Sequence, residues 1–388
     1  MAEKKIVSLS KIRNKETLKK IFRIIRIPIV ILVVIAALFL SARLLGNVAV
    51  SNITDGIREI KTVFARGEGY PYSLDTFNYR KSFAIGNRPL VLYEDSCRVL
   101  SSSAGEMFDT QLEYADSKVI SRNSRALIYS NSANKITLLS KTEKLGDFTE
   151  KGTVVAAALA KNGNFATSYS NEDYQSILSV YNSRFKKIFQ WNCSQERIAD
   201  ISLSGNGKNI AAVAVGTENA EIYTRLLVFN SGSAEPNADI RFDGTLFLRV
   251  AYTSSGKIIA VGDNRTVVLN KKGETVDELV YSEDSLCAVC IDDDGNTVVS
   301  FKEFGGSKTG IVRFSASGKK SCSFSVDGIP DCIVASGGRI AVATGSDITV
   351  YSSSGRETKQ LQTDNPVSEM FICSGTVYSV EGSTVVKH

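Results

Sequence analysis

The side chains that most often carry enzyme chemistry are scarce in this sequence of 388 residues. Its only histidine is His388, the last residue, so a serine or cysteine nucleophile elsewhere in the chain lacks an imidazole base. A zinc or iron centre built on several histidines is excluded for the same reason. We therefore predict no catalytic residue, no metal site and no cofactor.

Seven cysteines offer a second kind of chemistry, and Cys287 and Cys290 have Cys-x-x-Cys spacing. In an extended strand, residues i and i+3 point to opposite faces, so these two thiols should not converge on a metal ion or form a redox pair. An odd count argues against a complete disulfide framework and indicates a non-oxidising setting or one unpaired thiol. We interpret the cysteines as small buried hydrophobic residues.

An acidic run, Asp292, Asp293 and Asp294 together with Glu303, resembles a calcium-binding loop in composition. That loop needs glycine at its sixth position, where this chain has Thr297. The run also aligns with a turn that recurs along the chain, so we interpret it as a hairpin turn.

Basic residues are concentrated at the start of the chain. The whole sequence has 46 Lys/Arg and 41 Asp/Glu, and residues 1–26 hold nine of these cations against two acids. The remainder is nearly neutral and has no electrostatic footprint for nucleic acid, so we predict no nucleic-acid partner. A positive flank is typical of the cytoplasmic side of a membrane span. The nine cations are Lys4, Lys5, Lys11, Arg13, Lys15, Lys19, Lys20, Arg23 and Arg26.

An uncharged run from Ile27 to Ala42 follows this tail. With flanking arginines at the interface, it reaches the ~20 residues that a bilayer requires. We predict a basic cytoplasmic tail at 1–26 and a transmembrane helix at 27–47 in the cell membrane, with the rest of the chain extracytoplasmic. A cleaved signal peptide is the alternative, but cleavage after Ala42 would place Leu40 where a small residue is needed.

The segment 48–70 is predicted to be a juxtamembrane stem. Ile53, Ile57, Ile60 and Phe64 recur at spacings of four, three and four, which is one stripe of a helix. A helix that docks on a partner is the alternative.

From residue 71 onward, short apolar strands alternate with Gly, Ser, Asn and Asp clusters, which is the pattern of an all-β protein. A repeated unit consists of an apolar strand, a polar turn and a second apolar strand, as in Leu203-Ser-Gly-Asn-Gly207-Lys-Asn-Ile-Ala. A period near 40 residues, with four strands per unit, predicts a β-propeller. The turn positions of the eight units are Gly86, Ser124, Gly163, Gly207, Gly256, Gly295, Gly338 and Gly375.

Eight units predict a propeller of eight four-stranded blades at 71–388, or seven if one weak upstream unit is irregular. The last unit has room for only three strands before His388. The segment Ser73–Tyr79 could supply its fourth strand, which would latch the ring and hide an open sheet edge.

Three units have longer links between their second and third strands, at Asn171–Ser176, Gly216–Tyr223 and Lys302–Ser307. In a propeller these links emerge on one face, where charged and aromatic side chains predict a binding surface. Ordinary variation in loop length is the alternative. The candidate binding residues are Glu218, Glu221, Tyr223, Lys302, Glu303 and Phe304.

The basic tail, the span and the repeated pattern Ser/Asp-x-Gly-Lys-x-Ile-Ala, followed by Val-Tyr/Phe-Asn/Ser, resemble a family of single-pass membrane-anchored propellers of clostridial-type Gram-positive bacteria. That family has no assigned function, and the resemblance covers nearly the whole chain. More loosely, the sequence is similar to eight-bladed lipoproteins that scaffold outer-membrane assembly and to quinoprotein dehydrogenases. The dehydrogenases have tryptophan docking motifs in each blade, whereas Trp191 is the only tryptophan here.

These observations predict an extracytoplasmic binding or scaffolding propeller whose ligand is a protein or a cell-envelope polymer. A sensor that relays ligand capture through a membrane partner is the second hypothesis, and a quinoprotein-like enzyme is the third. A cluster of carboxylates in the central channel would favour the enzyme, and an apolar or featureless channel would favour the binding module.

Overall fold

The computed structural model describes residues 67–388. The predicted tail at 1–26, the predicted span at 27–47 and positions 48–66 of the predicted stem lie outside the described residues. Within 67–388, no helix is both long and apolar enough to cross a membrane.

In residues 67–388, thirty-two strands form eight antiparallel sheets of four strands each, so the ring has eight blades rather than seven. Blade 1 consists of β2 (Tyr79–Ile85), β3 (Arg88–Tyr93), β4 (Ser96–Leu100) and β5 (Glu106–Gln111), and blade 2 consists of β6 (Ser117–Arg122), β7 (Arg125–Ser130), β8 (Lys135–Ser140) and β9 (Lys144–Thr149). Blade 3 consists of β10 (Val154–Leu159), β11 (Phe165–Tyr169), β12 (Ser176–Tyr181) and β13 (Lys187–Cys193), and blade 4 consists of β14 (Arg197–Leu203), β15 (Asn209–Glu218), β16 (Glu221–Asn230) and β17 (Ala238–Asp243).

Blades 5 to 8 have the same order, and the last blade takes its fourth strand from the start of the described chain. Blade 5 consists of β18 (Phe247–Tyr252), β19 (Ile258–Gly262), β20 (Arg265–Leu269) and β21 (Thr275–Val280), and blade 6 consists of β22 (Leu286–Ile291), β23 (Thr297–Lys302), β24 (Lys308–Phe314) and β25 (Lys320–Asp327). Blade 7 consists of β26 (Cys332–Ser336), β27 (Arg339–Thr344), β28 (Asp347–Ser352) and β29 (Glu357–Gln362), and blade 8 consists of β30 (Val367–Cys373), β31 (Thr376–Glu381), β32 (Thr384–Lys387) and β1 (Tyr72–Ser73).

The hydrophobic core lies between the blades. Every residue of β12, a third strand, is buried, whereas the fourth strand β25 alternates between exposed and partly buried residues. Middle strands are covered on both faces by neighbouring blades, and outer strands are half in water. Eight apolar clusters fill the eight blade interfaces, and the cluster that joins Val91 of blade 1 to Phe371 of blade 8 closes the ring.

The eight predicted turn positions all fall between the first and second strands of a blade. Seven are glycines with positive φ, for example +83° at Gly163, a conformation that glycine adopts without a Cβ clash. Blade 2 differs, because Asn123 takes the positive φ of +56° there and the predicted position, Ser124, does not. Asparagine is one of the few other residues that tolerate this conformation.

The strand exchange predicted for the last blade is present, with its boundaries shifted. Strand β1 pairs with β32, with Tyr72 opposite Val385 and Ser73 opposite Thr384. The backbone N–H of Leu74 donates to the carbonyl of Ser383 at 2.8 Å. The rest of the predicted segment connects β1 to β2, because Tyr79 already begins the first strand of blade 1.

Candidate functional site

The antiparallel order of each blade sorts its links onto two faces. Links after second and fourth strands emerge on one face, which we call the loop face, and links after first and third strands emerge on the other, the turn face. The three long links predicted from the sequence all follow second strands, so they lie on the loop face. The described chain enters on the turn face, where the N–H of Gly69 donates to the carbonyl of Ser103 in the link between β4 and β5.

The link predicted at Gly216–Tyr223 is a two-residue turn that closes a long hairpin of β15 and β16. Glu218 and Glu221 are exposed near its tip, and Arg241 pairs with Glu218 at 2.6 Å. Tyr223 is buried, and its hydroxyl donates to Glu196 at 3.0 Å. The ring of Tyr223 is therefore part of the blade, with the guanidinium of Arg241 stacked 4.0 Å from its centre.

The link predicted at Lys302–Ser307 lies between β23 and β24 of blade 6. Phe304 is fully exposed at its tip, Lys302 is exposed, and the carboxylate of Glu303 accepts a hydrogen bond from Ser325. This link adjoins the link that leaves blade 6, because the N–H of Gly328 donates to the carbonyl of Ser307 at 2.9 Å. The adjoining link carries a second exposed apolar side chain, Ile329, at 51% exposure.

The third long link, between β11 and β12, is acidic and ordered by its own asparagine. The side chain of Asn171 accepts hydrogen bonds from the backbone N–H groups of Asp173 and Tyr174, at 3.2 and 2.8 Å. Such an Asx turn positions the backbone without needing a partner.

The loop face is strongly acidic. Its links after second strands hold six acids and no Lys or Arg, namely Glu94, Asp95, Glu172, Asp173, Asp263 and Glu303. Its links before first strands hold nine acids and one cation, Lys151; the acids are Asp75, Glu113, Asp116, Glu150, Glu196, Glu283, Asp284, Asp331 and Asp364.

The turn face has the opposite sign. Its links hold ten cations against six acids, and three of those acids are the consecutive Asp292, Asp293 and Asp294. A nearly neutral chain is therefore divided into an acidic and a basic face. The ten cations are Lys141, Lys161, Arg184, Lys186, Lys208, Lys257, Lys271, Lys272, Lys319 and Arg356.

The acidic run Asp292–Asp294 forms a hairpin turn, as interpreted from the sequence, between β22 and β23. The carboxylate of Asp292 accepts from the N–H groups of Asp294 and Asn296, at 3.0 and 2.9 Å. Among residues 67–388, no group of three or more His, Cys, Asp or Glu side chains is arranged to hold a metal ion.

The same turn reaches across the central channel, a contact that the sequence does not predict. Arg122 of blade 2 donates to the carbonyl of Asp292 at 2.5 Å, and the N–H of Asn123 donates to the carboxylate of Asp293 at 2.8 Å. Lys161 of blade 3 pairs with Asp294 at 2.5 Å. Blades 2 and 6 lie opposite each other in a ring of eight, so these bonds bridge the channel at the turn face.

On one side of this bridge, between blades 6, 7, 8 and 1, lies a cavity of about 510 Å³. Its lining includes Lys81, Glu369 and Asp331. Glu369 already accepts hydrogen bonds from the hydroxyl of Tyr79 and the N–H of Ser82, at 2.9 and 3.1 Å. The carboxylate thus ties the first strand of blade 8 to that of blade 1.

On the other side, a cavity of about 210 Å³ contains Asp200 and Arg249. Asp200 accepts from the N–H of Val250 at 2.7 Å and lies 3.5 Å from the Arg249 guanidinium. Burial raises the pKa of Asp200, and the charge of Arg249 acts in the opposite direction. Asp200 and Glu369 therefore each bond the first strands of adjacent blades and have a structural role in the ring.

The only histidine meets a serine and a carboxylate in blade 8. The Nε2 atom of His388 lies 2.7 Å from Ser379 Oγ and 3.4 Å from the carboxylate of Glu381. A catalytic triad uses one ring nitrogen for the serine and the other for the carboxylate, whereas here one nitrogen faces both. Ser379 is also completely buried, so this cluster lacks the geometry of a hydrolase triad.

Cys287 and Cys290 point to different surroundings, as the strand argument predicts. Cys287 is exposed and its thiol lies against the carbonyl of Ser285, whereas the thiol of Cys290 lies 3.2 Å from the carbonyl of Ile333 in blade 7. All seven cysteines have free thiols.

Two buried glutamates on the loop face were not identified from the sequence. Glu150 accepts from the hydroxyl of Tyr181 at 2.8 Å, no Lys or Arg among residues 67–388 forms an ion pair with it, and burial raises its pKa. Glu196 receives hydrogen bonds from Cys193, Tyr223 and Arg225. Burial alone would raise the pKa of Glu196, but the bonds from Cys193 and Arg225 and the Arg225 charge outweigh it and lower that pKa.

Glu150→Gln is expected to raise the melting temperature at pH 8. Because the folded-state pKa of Glu150 is raised, its protonated form stabilises the fold at low pH, and this contribution is lost as the pH rises through that pKa. A neutral amide avoids the loss, so we expect a gain of about 1–2 °C at pH 8, the shift that 1 kcal/mol produces in a domain of this size. Thermal melts at pH 4 and pH 8 measure it.

Glu94→Gln is the matched control, because Glu94 is exposed and paired with Arg80 at the surface. Its melting temperature should be the same as that of the wild type at both pH values. A Glu150→Gln variant that melts below the wild type at pH 8 would show that the carboxylate is needed in its charged form.

A family model described as a family of unknown function, DUF5711, matches residues 73–386. A comparison with curated protein sequences gives no match. Among solved structures, the propeller is similar to the crystal structure of the C-terminal WD40 domain of Sif2, with a TM-score of 0.56 and 13% sequence identity. That alignment covers 84% of this chain and 98% of the Sif2 domain, and at this identity it shows the fold alone.

Proposed function

This chain belongs to the DUF5711 family of unknown function, and we propose that its propeller is a binding module, anchored in the cell membrane, that captures a protein partner through the loop face. The observation that carries the proposal is the exposed apolar pair Phe304 and Ile329 on adjoining links of blade 6, within an acidic surface. The WD40-type fold supports it, because such propellers commonly act as protein-interaction modules.

An aromatic side chain that is fully in water at the tip of a link gains free energy when a partner covers it. Burying one large apolar side chain contributes about 2 kcal/mol, and such residues are enriched at the centres of protein interfaces. Glu303, Asp327 and Asp331 surround the pair in the chain and carry negative charge. The partner that fits this patch presents an apolar group beside basic residues.

The predicted anchor at 27–47 supports the use of this face. The described chain enters at Gly67 beside Ser103, on the turn face. A membrane anchor upstream of Gly67 would therefore be joined to the propeller at the turn face, on the side opposite the loop face. The proposed orientation is N-terminus in the cytoplasm and propeller outside it.

A ligand sensor is the second candidate, and the cavity of about 510 Å³ between blades 6, 7, 8 and 1 favours it. Its volume is within the range of small-molecule sites, and it has Lys81, Asp331 and Glu369 as polar groups.

The Phe304→Ser, Ile329→Ser double variant tests the binding module. Crosslinking of the full chain in its native cell, followed by pulldown and mass spectrometry, should identify a partner for which the double variant loses about a hundredfold or more in affinity, since two anchors of this size contribute about 3–4 kcal/mol. The control is Ile188→Ser, Val276→Ser, which removes two exposed apolar residues from fourth strands, near the turn face.

A partner retained by both double variants would contradict the loop-face assignment. If no protein is captured and a small molecule copurifies with the wild type, the sensor is the better account.

A further inference from the structure

We propose that the turn face docks on a membrane surface of anionic lipid, through a basic patch on blades 3, 4 and 5. The inference rests on the proposed function, because it assigns the face opposite the partner site to the bilayer. The patch consists of Arg184, Lys186, Lys208, Lys257, Lys271 and Lys272.

The patch is basic because the turns of three consecutive blades lie side by side on the turn face and carry lysine and arginine. The links between third and fourth strands contribute Arg184 and Lys186 from blade 3, and Lys271 and Lys272 from blade 5. The links between first and second strands contribute Lys208 and Lys257. All the turn-face links of these three blades together hold two acids, Glu235 and Glu274, against these six cations and Lys161.

These cations are available to a partner. Five of the six are exposed, and in the described chain none of the six forms an ion pair with a carboxylate. Lys161, the nearest further cation, is different because its ammonium group pairs with Asp294 of the channel bridge. Unpaired lysines on turns are flexible point charges, which suits a surface of mobile phosphate headgroups better than one fixed ligand.

Two independent features favour lipid as the occupant. The described chain begins at Gly67 on this same face, and the predicted span ends at residue 47, so only residues 48–66 separate the span from the turn face. The loop face carries fifteen acids in its links, so an anionic surface repels it and attracts the turn face. Attraction of this kind acts within a Debye length of about 8 Å at physiological salt, which requires the face to lie against the headgroups.

The single tryptophan provides a native probe of this contact. Trp191 lies in β13, four residues after Lys187 at the turn-face end of that strand, or about 13 Å along it. The full chain would be reconstituted into vesicles of phosphatidylcholine alone, or of phosphatidylcholine mixed with phosphatidylglycerol, each containing a dansyl-labelled lipid. Energy transfer from Trp191 to the dansyl group reports how close blade 3 lies to the bilayer.

We expect a higher transfer efficiency in the phosphatidylglycerol vesicles, and we expect high salt to return it to the phosphatidylcholine value. The triple variant Lys186→Glu, Lys208→Glu, Lys272→Glu should lose this lipid dependence. The matched control Lys151→Glu, Lys302→Glu, Lys308→Glu makes the same charge change on the loop face and should retain it. Equal transfer in both lipids for the wild type would overturn the docking.

The same vesicles separate this inference from the proposed function. If an alkaline carbonate wash removes the chain from the vesicles, the predicted anchor is wrong. The lipid dependence of energy transfer then tests the docking on its own. If the chain resists the wash but its energy transfer is the same in both lipids, the predicted anchor stands and the docking is refuted. If energy transfer shows no lipid dependence, and the wild type binds a labelled single-stranded DNA that the turn-face triple variant does not bind, the patch is assigned to nucleic acid instead.

Discussion

Removing β1 is expected to lower the melting temperature of the propeller by about 7 °C and to make the protein self-associate. A chain that starts at residue 76 lacks the two strand residues that pair with β32 and the Leu74 N–H that bonds to Ser383. It also lacks the buried side chain of Leu74 and the ring of Tyr70, whose centre lies 5.3 Å from that of Tyr378. Together these contribute about 5 kcal/mol, by the usual values for buried side chains and hydrogen bonds.

The association follows from the edge that this truncation exposes. Strand β32 would present unpaired N–H and C=O groups to solvent, and such an edge pairs with other chains. A chain that starts at residue 67 is the matched control, since it retains β1. Calorimetry and light scattering over a concentration series compare the two, and identical melting temperatures would show that the exchanged strand does not hold the ring closed.

Arg225→Met is expected to destabilise the propeller by about 3–4 kcal/mol at neutral pH, because it leaves a buried carboxylate without its cation. Arg225 donates to Glu196 at 2.7 Å, and the Glu196 side chain is only 3% exposed. It also pairs with Asp239 through a second guanidinium nitrogen. The hydrogen bonds from Cys193 and Tyr223 remain in the variant, but they bring no positive charge.

The pH dependence should reverse in this variant. In the wild type the pKa of Glu196 is lowered, so its stabilising contribution is present above the ordinary glutamate pKa and is lost as the pH falls through the folded value. Without Arg225, burial dominates and raises that pKa, so the penalty is largest at high pH and decreases as the carboxylate is protonated. Urea denaturation across this pH range measures both effects.

Two further variants isolate the buried pair. Adding Glu196→Gln to Arg225→Met should recover part of the lost stability, because the uncompensated charge is removed. Arg241→Met removes an arginine whose acidic partners, Glu218 and Asp243, are exposed, and should lower the midpoint much less, because only surface ion pairs and its stacking on Tyr223 are lost. If Arg225→Met lowers the denaturation midpoint no more than Arg241→Met does, then water reaches the Glu196 carboxylate.

The repeat was predictable from the sequence because its determinants are local. A glycine such as Gly163 fixes a tight turn through its own positive φ, and apolar strands on both sides of that turn can be recognised without knowing their partners. Eight such units predicted eight blades, with seven as the alternative, and the missing fourth strand of the last unit predicted the exchange. Blade 2 shows the limit of the pattern, since Asn123 replaces glycine one position before Ser124.

The candidate binding residues were only partly predictable. The sequence located the long links on one face, and Phe304 is exposed there. It could not show that Tyr223 is buried, because that depends on Glu196 in the preceding link and on Arg241 in the next strand. Exposure of an aromatic side chain is decided by what the neighbouring strands place beside it.

The sequence by itself determined the all-β repeat and the near-neutral charge of the propeller, and it predicted eight blades with seven as the alternative. Only the tertiary structure decided that the charges are sorted into an acidic and a basic face, because that depends on which links emerge together when strands alternate in direction. It also decided that Asp293 meets Asn123 across the channel, 170 residues away in the chain. Such contacts exist only once the ring has closed, and no local pattern of residue types encodes them.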